Sequence, residues 1–309
     1  MKKLVSTTNL SHAEWLEYRK LGLGGSDAGS VCGLNPYASP MSVYYDKTRE
    51  DTEDYDNESM RQGRDLEEYV AHRFMEETGL KVRRSNFIYQ NEEYPFMLAN
   101  VDRLIVGDQV GLECKTASAY NADKWSGDSI PAHYEIQCHH YMAVTGAKAW
   151  YLAVVILGKE FKYKRIERDE ALIKNLIAIE KEFWEDHVLT KTMPGPDGSE
   201  ISNEIINSYF PAAVKQKIEL PSYMNEKLRR RDEIRDLLKK MEQEQNQIEQ
   251  EIKLFMGEYE VAWNEHYKVS WSNVDTVRID SKKLKEEKPD LYQAFSKSSQ
   301  SRRLMVKAA

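Results

Sequence analysis

A mixed α/β core followed by a helical appendage is the architecture this sequence predicts. Strand-like and helical runs alternate between residues 81 and 188. A strand, a helix and a buried strand follow one another over 110–157. One stretch, Thr192-Met193-Pro194-Gly195-Pro196-Asp197-Gly198-Ser199, packs two prolines and two glycines into eight residues and separates that pattern from a heptad-like one. Pro and Gly at this density continue neither a helix nor a central strand. The expected division is therefore a core over 1–191, a linker over 192–200 and an appendage over 201–309.

Within the core, Ser11 is placed to cap a helix running to about Lys20, with Glu14 at the capping-box position. Gly22-Leu23-Gly24-Gly25-Ser26-Asp27 reads as a flexible turn, after which Ser26 caps a short helix ending near Gly33. A longer helix spans about Met60 to Thr78 and stops at Gly79. Lys81 to Tyr89 and Phe96 to Val106 are strand-like, and Gly107-Asp108-Gln109 turns the second of these into a strand from Val110 to Thr116. A helix from near Pro131 to Gly146 leads to a buried strand, Ala149 to Leu157, which pairs with Phe161 to Ile166. A helix from about Asp169 to Val188 closes the core. Strand, crossover helix and strand over 110–157 suggest a right-handed βαβ unit.

The appendage has a different texture. Ile234, Leu238, Met241, Gln245, Ile248, Ile252 and Phe255 step by four and three alternately, the seam of a coiled coil. An intramolecular helical hairpin is the favoured use of this seam, an intermolecular zipper the other. Two strand-like pieces follow, Glu258–Trp263 and Tyr267–Ser272, then a Lys/Glu-rich helix that Pro289 stops.

With 309 residues, 41% of them hydrophobic, the chain can bury a substantial core. It contains no apolar run near the roughly 20 residues of a membrane span, and no apolar segment follows the N-terminal lysines as in a secretory signal. Cys32, Cys114 and Cys138 fall in no metal-ligand spacing, which points to reduced thiols in a cytosolic protein. The net charge of −7 argues against a protein that coats nucleic acid but leaves room for an enzyme that grips phosphates locally. From residue 278 to the end, nine Lys/Arg stand against four Asp/Glu, a tail able to touch a polyanion or an acidic partner.

The chemistry concentrates in Val101-Asp102-Arg103 and, across the turn, Leu112-Glu113-Cys114-Lys115. Side chains alternate faces along a strand, so Glu113 and Lys115 project together and Asp102 approaches from the neighbouring strand. Two carboxylates in close company are costly unless a charge neutralises them. Mg²⁺ does so with a few carboxylate oxygens and several waters. Lys115 adds a positive charge beside a reacting phosphate and is placed to orient or deprotonate a water. Glu67, on the helix before the sheet, can add a further carboxylate, with Gly63 allowing close approach. Tyr134, Gln137 and Tyr141 share one face of the crossover helix, where Gln137 can hold a water or phosphate. Arg19 precedes a Gly-rich turn that opens a helix, a combination suited to an anion.

An Asp and a Glu-x-Lys about ten residues apart on a hairpin match the PD-(D/E)XK nuclease pattern. The ordered set Arg19, Gly24-Gly25-Ser26-Asp27, Gly63-x-x-x-Glu67, Asp102, Glu113-x-Lys115 and Gln137-x-x-x-Tyr141 resembles the YqaJ-type viral recombinase family, relatives of lambda exonuclease. Gly33-Leu34-Asn35-Pro36-Tyr37 is similar to that family's N-terminal motif. The likeness covers roughly 11–188. Asp280-x-x-x-Leu284-Lys285 and Pro289-x-x-Tyr292 resemble the C-terminal extension of some phage and prophage members.

The resemblance implies a restriction-endonuclease-like core and a Mg²⁺-dependent 5′→3′ exonuclease, with Mn²⁺ substituting. It would resect linear double-stranded DNA to 3′ single strands and 5′-mononucleotides for phage-type recombination. Asp102, Glu113 and the main-chain carbonyl of Cys114 would bind metal and Glu67 would complete the acidic set. Lys115 would be the catalytic lysine, with Gln137 and Tyr141 beside it, and Arg19 and Ser26 would hold the 5′-phosphate. It further implies a single-strand annealing partner, a homo-oligomer (a trimeric ring), and a cytoplasmic setting in a bacterial host as a phage- or prophage-encoded protein. Competing readings are an endonuclease or single-strand nuclease of the same fold, and a non-catalytic scaffold that binds DNA ends.

Overall fold

The computed structural model describes residues 2–50, 57–127, 129–298 and 301–307 and divides into two units, Met1–Phe210 and Pro211–Ala309. The first unit begins with β1 (Lys2–Ser6), α1 (His12–Lys20), α2 (Gly25–Val31), α3 (Pro40–Thr48) and α4 (Glu58–Thr78). Ser11 and Glu14 form the expected capping box of α1, and Gly79 ends α4 in the left-handed conformation. Helix α2 starts earlier than expected. Gly24 is its N-cap, and the Gly24 N–H donates to the Asp27 carboxylate at 2.8 Å, so Ser26 lies inside the first turn instead of capping it.

Next come β2 (Val82–Arg84), β3 (Phe87–Gln90), β4 (Leu98–Asn100), β5 (Arg103–Ile105) and β6 (Val110–Ala117). The two runs expected as single strands, 81–89 and 96–106, are each broken in two. Strands β1, β3 and β4 form one small antiparallel sheet, while β2 and β5 join the central one. Asp102 lies at the second break, where the chain bends out of one sheet and into the other. After a 3₁₀ turn (Ala119–Trp125) come α5 (Ala132–Thr145), β7 (Ala149–Ile156), β8 (Glu160–Glu167) and α6 (Glu170–Phe183), which runs on as a π-helical turn to Leu189.

The central sheet has the order β2-β5-β6-β7-β8. Strands β6 and β7 are parallel over their whole length and all other pairs are antiparallel. Strand β6, helix α5 and strand β7 thus form the expected crossover unit. Residues alternate between its two covered faces. Leu112, Ala153, Val70, Ala71 and Phe74 pack together on the α4 side. Leu152, Val154, Trp150, Cys138 and Met142 pack on the α5 side.

The division between the units falls later than the Pro/Gly-rich stretch. Helix α7 (Glu200–Tyr209) follows that stretch and packs on α3: the Ser202 hydroxyl meets the Ser39 hydroxyl at 3.1 Å, and the Tyr209 ring stands edge-on to Tyr45. Residues 192–199 are therefore a connection inside the first unit, and the appendage starts at Pro211.

The second unit contains α8 (Met224–Met256), an antiparallel hairpin of β9 (Val261–Trp263) and β10 (Lys268–Ser270), α9 (Ser281–Glu287) and α10 (Pro289–Phe295). Pro289 ends α9 and opens α10 as a first-turn residue. The favoured helical hairpin is absent among the described residues. Helix α8 runs unbroken for 33 residues, and the two helices after it have seven residues each, too short to cover it. No helix of the described residues is long and apolar enough to cross a membrane.

Candidate active site

Glu113 is the centre of the site. It lies on β6, points to the α5 face, and is only 3% exposed. Its Oε1 accepts from Lys115 Nζ at 2.7 Å and from Gln137 Nε2 at 2.7 Å. Gln137 also donates to the Tyr141 hydroxyl at 2.9 Å, so the expected stripe on α5 is tied to the strand carboxylate. Lys115 rests over the Tyr134 ring, 4.6 Å from its centre. Burial alone would make this ammonium easier to deprotonate. Glu113, Tyr134 and Asp102 outweigh burial and hold it protonated. Lys115 is therefore held as a cation beside the two carboxylates in this arrangement.

Asp102 accepts from the Cys114 main-chain N–H at 2.9 Å. Its carboxyl is pushed well above the usual carboxylate range by burial and by the negative charges of Glu113 and Glu67, against the opposing pull of Lys115 and the Cys114 N–H. The bend between β4 and β5 brings this about, because it turns Asp102 inward beside the strand that carries Glu113.

Glu67 is placed differently. It reaches the sheet from α4, and its carboxylate is ion-paired with Arg103. Arg103 is 2% exposed and follows Asp102 directly. It also donates to Glu68 Oε2 at 3.0 Å and to the Asp102 carbonyl at 2.8 Å. Arg103 sits opposite Leu112 in the β5–β6 register, hence on the α4 face. It is the functional residue that sequence reading passed over. The available signal was an arginine in an otherwise apolar strand, next to the key aspartate and matched by two adjacent glutamates. Gly63, expected to allow close approach, has room: an added Cβ would lie 4.0 Å from the Thr116 hydroxyl.

Arg19 lies over the Trp15 ring and reaches Ser26 Oγ at 3.4 Å and Asp27 Oδ1 at 3.5 Å. Asp27 is buried and meets Lys47 Nζ at 2.7 Å, and Lys47 in turn donates to the Arg19 carbonyl at 3.0 Å. Burial would raise the Asp27 carboxyl, but Lys47 and Arg19 outweigh it and hold it below its ordinary value. Gly25 has no room for a side chain, since a Cβ there would stand 2.5 Å from the Tyr141 ring. This close approach brings the α2 turn against Gln137 and Tyr141.

The Asp27 cluster makes the fold sensitive to acid. A folded carboxyl held below its unfolded value adds stability above about pH 4, and that contribution is lost as pH falls through the folded value. Asp27→Asn is expected to be less stable than wild type near neutrality, with the gap narrowing below about pH 4. Urea midpoints across that range measure it, and a gap independent of pH would refute this role.

These residues converge on one cleft of about 210 Å³, lined by Trp15, Arg19, Ser26, Asn100, Asp102, Glu113, Gln137 and Tyr141. Glu67 and Lys115 do not line it: Glu67 is paired with Arg103, which lies outside the lining, and Lys115 with Glu113, which belongs to it. The Glu113 Oε2 atom is buried without a partner. An unpaired buried carboxylate oxygen is costly, and a hard cation shared with Asp102 would satisfy it. Among the described residues no group of three or more His, Cys, Asp or Glu side chains is set to hold a metal. The carboxylates that line the cleft are those of Asp102 and Glu113, and a cation there would take its remaining ligands from main-chain oxygen and water. That suits Mg²⁺, which keeps several waters, and does not suit structural Zn²⁺.

Residues 14–148 match the family model of the YqaJ-like viral recombinase domain. The chain is 37% identical over 308 residues to the uncharacterized protein YqaJ of Bacillus subtilis strain 168, covering 98% of this chain and 97% of that one. Among solved structures, it is similar to LHK-Exo in complex with dAMP, with TM-score 0.50 and 20% identity over 64% of this chain and 99% of that one. A second structure of the same Laribacter hongkongensis protein, an alkaline exonuclease, gives TM-score 0.47 and 18% identity over the same shares.

Proposed function

The chain belongs to the YqaJ-like viral recombinase family, and from that premise and the cleft we propose that it is a metal-dependent deoxyribonuclease of the PD-(D/E)XK type, a 5′→3′ exonuclease on linear duplex DNA. The observation that carries this reading is Glu113: one oxygen held by Lys115 and Gln137, the other buried and unpaired, beside an Asp102 carboxyl raised by burial and by the negative charge of Glu113. The alkaline exonuclease named for the similar fold is consistent with it.

Asp102 and Glu113 would hold Mg²⁺, or Mn²⁺ in its place, with the Cys114 main-chain carbonyl, and Glu67, paired with Arg103 outside the cleft, would add its negative charge behind them. Such a cation supplies Lewis-acid polarisation of a phosphodiester and a more acidic water. The rest falls to the chain's own groups. Lys115 stays charged and stabilises negative charge developing on the phosphate. Gln137 fixes the Glu113 carboxylate and Tyr141 packs beside it. Arg19, steered by Asp27 and supported by Trp15, would hold the 5′-phosphate with Ser26. Partners would be DNA ends and a phage-type annealing protein, in the cytoplasm of a bacterial host.

The decisive experiment is incubation with end-labelled linear duplex and Mg²⁺. The expected result is shortening of the 5′-ended strands with release of mononucleotides, while a covalently closed plasmid stays intact. Cutting of the closed plasmid would favour an endonuclease, and binding without turnover in either metal would favour a scaffold. Arg19→Ala should erase the preference for a 5′-phosphorylated end while leaving slow hydrolysis. A variant that still discriminates between phosphorylated and unphosphorylated ends would remove Arg19 from that role.

A further inference from the structure

Leu98 is a junction between the two ends of the cleft. It is buried at the start of β4 and lines the cleft itself. Its main-chain N–H donates to the Leu23 carbonyl at 2.8 Å, and the Leu23 N–H donates to the Phe96 carbonyl at 2.7 Å. These bonds fix the point from which the Gly24-Gly25-Ser26 turn departs, and with it Ser26 beside Arg19. In the other direction, Leu98 stands four residues before Asp102. A shift of Leu98 would disturb the phosphate end and the carboxylate end together.

The Leu98 carbonyl meets His140 Nε2 at 2.8 Å, and the other ring nitrogen, Nδ1, lies 2.8 Å from Glu180 Oε1. Neither side chain has any exposure. His140 stands on α5 between Gln137 and Tyr141, with its ring edge-on to Tyr141, and Glu180 stands on α6. Two bonds thus tie α6, α5 and β4 together behind the cleft.

The chemistry of the three groups places the protons. A carbonyl oxygen only accepts, so Nε2 carries a hydrogen. Nδ1 and Oε1 need a second one between them. Burial would lower the imidazole, but Glu180, the Leu98 carbonyl and Asp27 outweigh it and hold it above its ordinary value. Burial also raises the Glu180 carboxyl against the pull of His140. From either side the shared proton is retained. The other groups that face the pair are Asp27 of α2, already held by Lys47 and Arg19, and the Cys32 thiol, pushed up to about 11 by burial and by Glu180.

Such a pair is a poor source of stability. Ionisable groups taken out of water recover little more than they lose, and Glu180 Oε2 is buried with no hydrogen bond. What the pair supplies is direction. An apolar side chain in place of His140 would fill the space and leave the Leu98 carbonyl unheld.

We propose that His140 is a positioning residue for the cleft: backed by Glu180, its imidazole holds the Leu98 carbonyl and so sets Asp102 and the Ser26 turn relative to one another. Its effect on turnover rests on the nuclease reading, whereas the bond to Leu98 does not.

The test compares two double variants of the full chain. His140→Leu/Glu180→Leu removes the clamp and strands no charge, so its urea midpoint should stay near that of wild type. Its kcat on end-labelled linear duplex in Mg²⁺ should fall about tenfold or more. His140→Gln/Glu180→Gln keeps an N–H for the Leu98 carbonyl and should recover most of that loss. A wild-type kcat in the leucine pair overturns the proposal, as does a glutamine pair no faster than the leucine pair. ¹⁵N-histidine NMR of the wild-type chain needs neither variant to fold and no turnover. His140 should carry a proton on both ring nitrogens at neutral pH, and a bare Nε2 overturns the clamp. If the wild-type chain hydrolyses no duplex, the nuclease reading fails, and the same spectrum still decides whether His140 holds Leu98.

Discussion

Glu113→Gln is expected to abolish hydrolysis and yet raise the melting temperature of the metal-free protein, while Lys115→Met abolishes hydrolysis and lowers it. The opposite signs follow from one charge count. Asp102 and Glu113 share Lys115, and burial magnifies the excess negative charge, which appears as the raised Asp102 carboxyl. Glutamine at position 113 keeps an oxygen for Lys115 and Gln137 and removes that excess, leaving Asp102 and Lys115 balanced. Methionine at position 115 leaves two buried carboxylates with no cation. Breaking a buried pair from one side costs about 3 kcal/mol or more, a fall of about 6–12 °C for a unit of this size. Loss of a positioned charge in the transition state costs about 10²–10³ in rate. Removing a carboxylate that holds the metal should cost at least as much. Mg²⁺ should recover part of the melting temperature of Lys115→Met and none of that of Glu113→Gln. Thermal melts with and without Mg²⁺ read both signs. A Glu113→Gln variant that degrades DNA at the wild-type rate would end the site assignment.

Arg103→Met should be the most damaging single change outside the cleft. The guanidinium is buried, and removing it strands Glu67 against a sheet that already carries Asp102 and Glu113. About 3–5 kcal/mol is expected from the loss of the Glu67 pair. The second partner, Glu68, is largely exposed and contributes little beyond that. Replacing both sides of a buried pair with neutral groups is often nearly neutral. Arg103→Met with Glu67→Gln should therefore recover at least half of the lost stability, as judged by denaturant midpoints. If the double variant is no better than the single one, Arg103 acts through packing alone.

Much of this unit was legible because its signals are local. The Ser11–Glu14 box, the Gly79 stop and the common face of Glu113 and Lys115 each depend on residues within a few positions of one another, and the β6–α5–β7 unit shows as three such local patterns in succession. Strand alternation placed Glu113 and Lys115 together before any partner was known, and helical spacing did the same for Gln137 and Tyr141. The breaks within 81–89 and 96–106 were not legible, because a continuous apolar run does not record which sheet each half will join. The late boundary after Phe210 was hidden for a similar reason, since α7 belongs to the first unit only through its packing on α3.

The sequence alone determined the types of α1, α4, α5, α6 and β6 to β8, the carboxylate-lysine strand and the heptad pattern, all of which follow from periodicity and capping chemistry, whereas β1, α3 and α7 carried no such signal. Only the tertiary structure decided which charge answers which: Arg103 to Glu67, Lys47 and Arg19 to Asp27, Lys115 and Gln137 to a single oxygen of Glu113. Ion pairing and burial depend on distances across the fold and on the loss of water around each group, and neither quantity is written in the order of residues along the chain.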